Sequence, residues 1–192
     1  MIRGNKRVDW SKLLAPEDLA LAAGRVDPAA WYPMASFERM GDAILQMVAG
    51  GSLDAVRLWG RFSVDQLAAA QPQLVAHGDP IETMNRFRVL RATYFDFEAL
   101  EVNNVCDGEA VVLIGYHMGP SAEEAASHQT MGFFERLLEV AGAHNVFAQF
   151  TARSWTGEAR TRLELRWHDD APPPRRSSSP DVLGRLKKPA SD

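Results

Sequence analysis

Near residue 94 the spacing of apolar side chains along this chain changes, and that change decides which folds are open to it. Before it, large apolar residues recur at steps of three and four, the repeat of a helix with one buried stripe. After it, they gather in short runs or alternate with charged residues, as strands do. A helical half followed by a strand-rich half predicts an α+β domain, with helices packed on a sheet.

The helical half divides at its glycines and prolines. Pro16-Glu17-Asp18 opens a short helix, with proline in the first turn and acids at the positive end of the dipole, and Gly24 closes it. Asp27 to Pro33, with Trp31 and Tyr32, reads as a stiff connector. Ser36 is the expected cap of a helix running to about Ala49, with Phe37, Met40, Ile44, Leu45 and Val48 as its buried stripe. Ser52 starts a third helix through Val56, Trp59, Val64 and Leu67, stopped by Pro72. Pro80 starts a fourth, with Ile81, Met84 and Phe87 on successive turns.

In the second half, Tyr94 to Val105 is rich in strand formers and Asp107-Gly108 is a hairpin signal. Ala110 to His117 suits a strand buried on both faces. Ser121 with Glu124 fits a capping box for a helix ending at Gly142. Two strands follow, Asn145 to Ser154 and Ala159 to His168, joined by Thr156-Gly157-Glu158. In the last, Leu163, Leu165 and Trp167 alternate with Arg162, Glu164 and Arg166, so one face is buried and one solvated. The predicted architecture is N-terminal helices packed on a four-stranded, largely antiparallel sheet, in the order strand-hairpin-strand, helix, strand-hairpin-strand.

Composition narrows the function. A 46% apolar fraction with five tryptophans and nine phenylalanines supports a real core, and a formal charge of −4 argues against a basic nucleic-acid binder. The single cysteine, Cys106, allows no internal disulfide and no thiolate zinc site, and fits a reducing cytoplasm. No apolar run reaches the ~18 residues of a membrane span. Residues 1–12 read as a flexible basic N-terminus and 13–168 as a single domain. Residues 169–192, rich in proline, serine and arginine, read as a disordered tail. Within the tail, Val182 to Lys188 is either a short docking motif or inert chain.

Candidate chemistry is sparse. None of His77, His117, His128, His144 and His168 is paired at the spacing of a helical metal site. Cys106 carries no nucleophile signature, and Asp96, Glu98 and Glu101 are spaced as a solvated strand face rather than a catalytic pair. Gly50-Gly51 follows a helix instead of a strand, so it is no phosphate loop. Gly60 marks a close helix contact, since a mid-helix glycine costs ~1 kcal/mol against alanine. Beside it, Arg61 reaches either a carboxylate or carbonyl of the fold or an anionic ligand. Trp31, Tyr32, Trp59, Phe87 and Tyr94 are either plain core or the lining of an apolar pocket.

Certain residues carry a resemblance. Trp31-Tyr32-Pro33-x-x-x-Phe37, Gly60-Arg61 and Gly132-Phe133-Phe134-Glu135-Arg136-Leu137-Leu138-Glu139-x-x-Gly142-Ala143 resemble an uncharacterised myxobacterial-type family of about this length. That family is similar to the superfamily joining haem-nitric-oxide-binding domains, 4-vinyl-reductase-type domains and TRAPP subunits. The resemblance covers about residues 10–168 and implies a cavity between helices and sheet. In the haem branch, an axial histidine lies on the helix before the first strand and a Tyr-x-Ser-x-Arg motif clamps the propionates. Here that helix, Ile81 to Arg91, has no histidine, and the motif's place reads Tyr116-His117-Met118-Gly119-Pro120. No cofactor and no metal are therefore expected.

With no catalytic constellation in view, the expected role is a non-catalytic regulatory or adaptor module acting through protein contacts, as a homodimer. The alternative is a sensor holding a small apolar ligand in the cavity. An enzyme acting on a tetrapyrrole ranks behind both.

Overall fold

The structure, a computed structural model, describes residues 1–27 and 30–169. Part of the Asp27–Pro33 connector and, from residue 170, the expected tail lie outside the described residues. The elements are α1 (Pro16–Ala23), α2 (Met34–Met47), α3 (Leu53–Ala70), α4 (Pro80–Leu90), β1 (Leu100–Cys106), β2 (Glu109–Ile114), α5 (Pro120–Val140), β3 (Ala143–Ala152) and β4 (Thr161–Asp169). The four strands form one sheet in the order β1-β2-β4-β3, and every neighbouring pair is antiparallel. The α+β architecture expected from the period change is the one observed.

Local chemistry explains most boundaries. The Ser52 hydroxyl accepts from the Ala55 N–H at 3.2 Å to start α3, and the Asp79 carboxylate accepts from the Glu82 N–H at 2.8 Å to start α4. Gly108 turns the β1–β2 hairpin at φ +77°, and its missing Cβ matters twice, because an added carbon would stand 2.7 Å from the Trp167 carbonyl oxygen. The main core lies between α5 and the sheet. Phe134, Leu137 and Leu138 of α5 meet Val112 and Ile114 of β2 and Leu163 and Leu165 of β4, all fully buried.

On the other side of α5 lies α3, and the two helices touch backbone to backbone. A Cβ on Gly60 would fall 1.9 Å from the Gln129 carbonyl oxygen, and one on Gly132 would fall 1.9 Å from that of Arg57. Arginines and carboxylates flank this crossing. Arg57 grips the buried Glu135, Arg61 donates to Glu139 at 2.6 Å, and Arg136 donates to Asp65 at 3.1 Å.

Several local expectations are corrected. Residues 1–12, read as a flexible solvated end, form two 3-10 turns that bury Trp10 against Leu14 and Ala43. A large apolar ring within a basic segment is what seats it. α2 begins at Met34, so Ser36 lies buried inside the first turn rather than capping it. α5 begins at Pro120, and the residue that reaches back is Glu123 rather than Glu124. Its carboxylate accepts from the N–H groups of Tyr116 at 2.9 Å and Met118 at 3.1 Å. The strand expected from Tyr94 starts only at Leu100. The preceding segment is held by ring contacts, Phe95 to Tyr116 and Phe97 to His117, instead of a ladder. Of the three spaced carboxylates, only Glu101 sits on the strand, where Arg160 donates to it at 2.9 Å.

At the N-terminal end, Arg39 of α2 donates twice to Asp18 of α1, at 2.6 and 2.8 Å, and Asp18 is fully buried. The Arg39 hydrogen bonds hold the Asp18 carboxyl down to about 2, with smaller help from Ser36 and the Ala15 N–H, against the opposing effect of burial.

Two outcomes follow from this packing. Gly132→Ala, which in an open helix would stabilise by ~1 kcal/mol, is expected to destabilise by about 3 kcal/mol in urea unfolding, because backbone must move to admit the methyl. The Asp18 clamp contributes stability in full above the unfolded carboxyl value of about 4, and loses it as pH falls through 2. Asp18→Asn is expected to shrink that acid-limb loss in a pH series of thermal melts.

Candidate functional site

The face of α5 turned from the sheet carries Ala122, Ala125, Ala126, Gln129, Thr130 and Phe133, a helical stripe of mostly small side chains. Small residues where a core would place large ones leave room, and two cavities lie along the stripe. The first, about 280 Å³, is walled by Phe37, Met40 and Ile44 of α2, Val56 and Trp59 of α3, and Met118. The second, about 380 Å³ and open to the surface, lies between α3, α4 and the start of the sheet, against Leu67, Phe87, Tyr94, Leu100, Tyr116 and Phe133. Phe37, Ala126 and Gln129 border both. A third hollow, about 680 Å³, is a surface groove between the N-terminal segment, α1 and α2.

The stripe of α2 is accordingly not the buried one expected. Leu45 is buried, but Phe37 is 47% exposed and Val48 is exposed as well. Only Leu45 closes on α5, beside Ala125, and Phe37, Met40 and Ile44 roof the cavities. Two carboxylates of α2 hold the helix there. Glu38 accepts from the Gly119 N–H at 2.7 Å, and Asp42 accepts from the Ser121 hydroxyl at 3.1 Å.

The six residues singled out from the sequence separate. Phe87 and Tyr94 meet in the second cavity, and Trp59 lines the first. Trp31 is 63% exposed. Tyr32 lies on the outer groove, its hydroxyl hydrogen-bonded to the backbone of Asp27. Arg61 is spent on Glu135 and Glu139 of α5, which is the fold-holding role, and lies apart from both cavities. The sequence reading passed over Ala126, Gln129 and Thr130. Their signal was present, as small and polar residues at helical spacing where apolar bulk is the rule.

Among the described residues the second cavity holds no ionisable side chain except two phenols. Three of its four side-chain hydroxyls are engaged with protein acceptors. The Thr130 hydroxyl donates to the Ala126 carbonyl at 2.9 Å, so across the 2.6 Å contact it is Tyr116 that donates to Thr130. Ser63 donates to the Gly60 carbonyl at 2.7 Å. The Tyr94 hydroxyl is buried and has no partner. Burial pushes the Tyr94 phenol up, and pushes that of Tyr116 up to about 12, the latter partly offset by the Thr130 contact.

No protein-family model matches the chain, and no characterised protein matches it in sequence. Solved structures do match in shape. An H-NOX protein from S. oneidensis in the Fe(II) state superposes with a TM-score of 0.59 at 14% identity, over 80% of this chain and 85% of that one. An H-NOX structure determined to probe heme distortion gives 0.57 at 12% identity, over 98% of this chain and 95% of that one. An oxygen-binding H-NOX domain related to soluble guanylate cyclases gives 0.54 at 11% identity, over 79% and 82%.

The fold is H-NOX-like. Identities this low carry the fold alone, so a haem must be tested on the residues present. A haem in these cavities would need an axial donor and cations for its propionates. Among the described residues no histidine, cysteine, lysine or arginine lines either cavity. The two phenols of the second cavity resist the deprotonation that iron ligation would ask of them. The soft donors of the first, Met1, Met40 and Met118, stand without an imidazole beside them. These residues do not fit a haem. Among the described residues no group of three or more histidine, cysteine or carboxylate side chains is placed to hold a metal ion.

Tyr116 supplies an alkaline test. An unfolded phenol titrates near 10, about two units below this one. Stability present in full below about pH 10 is therefore lost as pH rises from there towards 12. Tyr116→Phe is expected to flatten that alkaline loss in urea unfolding, and one phenol in ultraviolet titration of the native protein is expected to ionise only near 12.

Proposed function

We propose that this chain is a non-catalytic sensor module that admits a small apolar molecule to the cavity between helices and sheet. The observation that carries the reading is the second cavity itself, about 380 Å³ of space with an uncharged, largely aromatic wall. Pockets for small ligands have this character, mostly apolar with a few placed polar groups, and volumes from ~300 Å³ upward. The H-NOX-like fold supports a sensor over an adaptor whose function lies in surface contacts alone. One structural neighbour is described in its Fe(II)NO state and another as an oxygen complex, so this architecture accommodates ligands in other proteins.

The reading keeps the fold's cavity and dispenses with haem. The place of the propionate clamp is taken by Tyr116-His117-Met118-Gly119-Pro120, and Tyr116 is committed to Thr130. Contacts with a protein partner or a second copy would be the output of such a module. No helix among the described residues is long and apolar enough to cross a membrane, and Cys106 is a free thiol. Both agree with a cytoplasmic site of action.

The test combines native mass spectrometry with absorbance. Purified protein is expected to show no Soret band and to gain no stoichiometric one on adding hemin. It is expected to carry, or take up from an apolar small-molecule library, one small molecule per chain. Ala126→Phe, which builds a ring into the wall common to both cavities, is expected to abolish that uptake while circular dichroism stays unchanged. A stoichiometric Soret band overturns the haem-free reading, and uptake undisturbed by Ala126→Phe overturns the cavity.

A further inference from the structure

We infer that the second cavity selects a flat, neutral molecule with an amide edge, an N–H and a carbonyl side by side as in a lactam, and that the side-chain amide of Gln129 reads that edge. This rests on the sensor reading above and deepens it.

Among the described residues, the polar side chains in the wall of this cavity are Ser63, Tyr94, Tyr116, Gln129 and Thr130. Ser63, Tyr116 and Thr130 each donate their hydroxyl proton to a protein acceptor. The Tyr94 oxygen has no partner, but it is closed off even from water and so offers the cavity nothing. Gln129 differs from all of these. It is half-buried, its amide makes no hydrogen bond among the described residues, and the amide atoms are not sealed away as the Tyr94 oxygen is. It borders both cavities, in company with Phe37 and Ala126. The base of the side chain is fixed, because the Gln129 backbone carbonyl lies against Gly60 at the crossing of α3 and α5.

A molecule that fills the cavity displaces the water around this amide. Leaving either half of the amide unpaired then costs more than an ordinary hydrogen bond contributes. A glutamine amide carries a carbonyl acceptor and an N–H donor side by side. A ketone or ester meets only the N–H, whereas a lactam edge meets both at once and in one plane. Charge narrows the class further. A carboxylate or phosphate brought into this cavity would lose its water and, among the described residues of the wall, find no lysine, arginine or histidine, and an ammonium would find no carboxylate. The occupant is therefore neutral. The rings of Phe87, Phe95 and Phe133 favour a flat hydrocarbon body.

Two fluorescent molecules of the same shape test this on the full chain by titration. 7-Amino-4-methylquinolin-2-one is a lactam, and 7-amino-4-methylcoumarin is the lactone, with a ring oxygen in place of the N–H. Wild-type protein is expected to bind the lactam about tenfold more tightly, since the lactone leaves the Gln129 carbonyl unpaired. Gln129→Leu is expected to erase that preference by weakening the lactam about tenfold. The same variant is expected to bind the lactone as wild type does, which shows the cavity intact. Gln129→Met, unbranched and as easily held in a helix, is expected to do the same. Equal binding of the two probes by wild type, or an equal effect of these variants on both, overturns the reading of the edge by Gln129 and leaves the cavity standing. If neither probe binds wild type, the lactam class is overturned, while uptake from the apolar library still decides the cavity. Lactam binding that survives Ala126→Phe removes the cavity and this inference together.

Discussion

At the crossing of α3 and α5 there is no side chain between the two backbones. Gly60 and Gly132 each bring their helix against a carbonyl of the other, closer than any Cβ would permit. Such an approach forfeits helix propensity at both positions, and what offsets it is the packing along the rest of the interface. The flanking ion pairs fix its alignment. Glu135 is buried between Arg57 and Arg61, so losing either arginine leaves a carboxylate short of a partner inside the protein. Everything that makes a cavity depends on this contact. With α3 pinned to one part of α5, the small residues above and below the crossing face space that α2 and α4 roof but do not fill.

The two faces of α5 thus do different work with the same periodicity. Phe134, Leu137 and Leu138 press on the sheet and make the core, whereas Ala122, Ala126 and Thr130 hold back from the opposite helices. The H-NOX-like fold is compatible with an internal site for this reason, since a single long helix separates the solid half of the domain from the hollow half. What occupies the hollow is decided by side chains and not by the fold. Here the wall of the second cavity carries, among the described residues, no charged side chain.

Much of the fold was legible because it rests on local rules. The Asp107-Gly108 turn, the alternation of Leu163, Leu165 and Trp167, the cap at Ser52, the start at Pro80 and the stop at Pro72 each follow from backbone chemistry that a short window of sequence contains. The failures are tertiary. Phe37 reads as core because its spacing is helical, but spacing cannot show that the facing helix carries alanines and leaves a gap. Trp10 looked like part of a solvated end because its neighbours are charged, yet one ring found a cleft between α1 and α2. Ser121 and Glu124 matched a capping pattern, while the nearby Glu123 had a better pair of donors in Tyr116 and Met118. Of the site, Phe87 and Tyr94 were singled out as aromatics. Gln129 and Thr130 escaped notice because polar residues within a helix ordinarily signal a solvated face.

The glycine crossing also sets how this domain can yield. Helices that meet through side chains can slide past one another by repacking rotamers, but α3 and α5 have none to repack at their contact. They answer a load as one beam. The compliant wall is α2, whose apolar ridge is half exposed and which is tied across the gap chiefly by Glu38 and Asp42 to the first turn of α5. An occupant larger than the resting cavity would lift that helix as a flap on its carboxylate stitches, and the groove beneath the N-terminal segment would change shape with it. Rigidity in one pair of helices would thereby leave any such movement to α2.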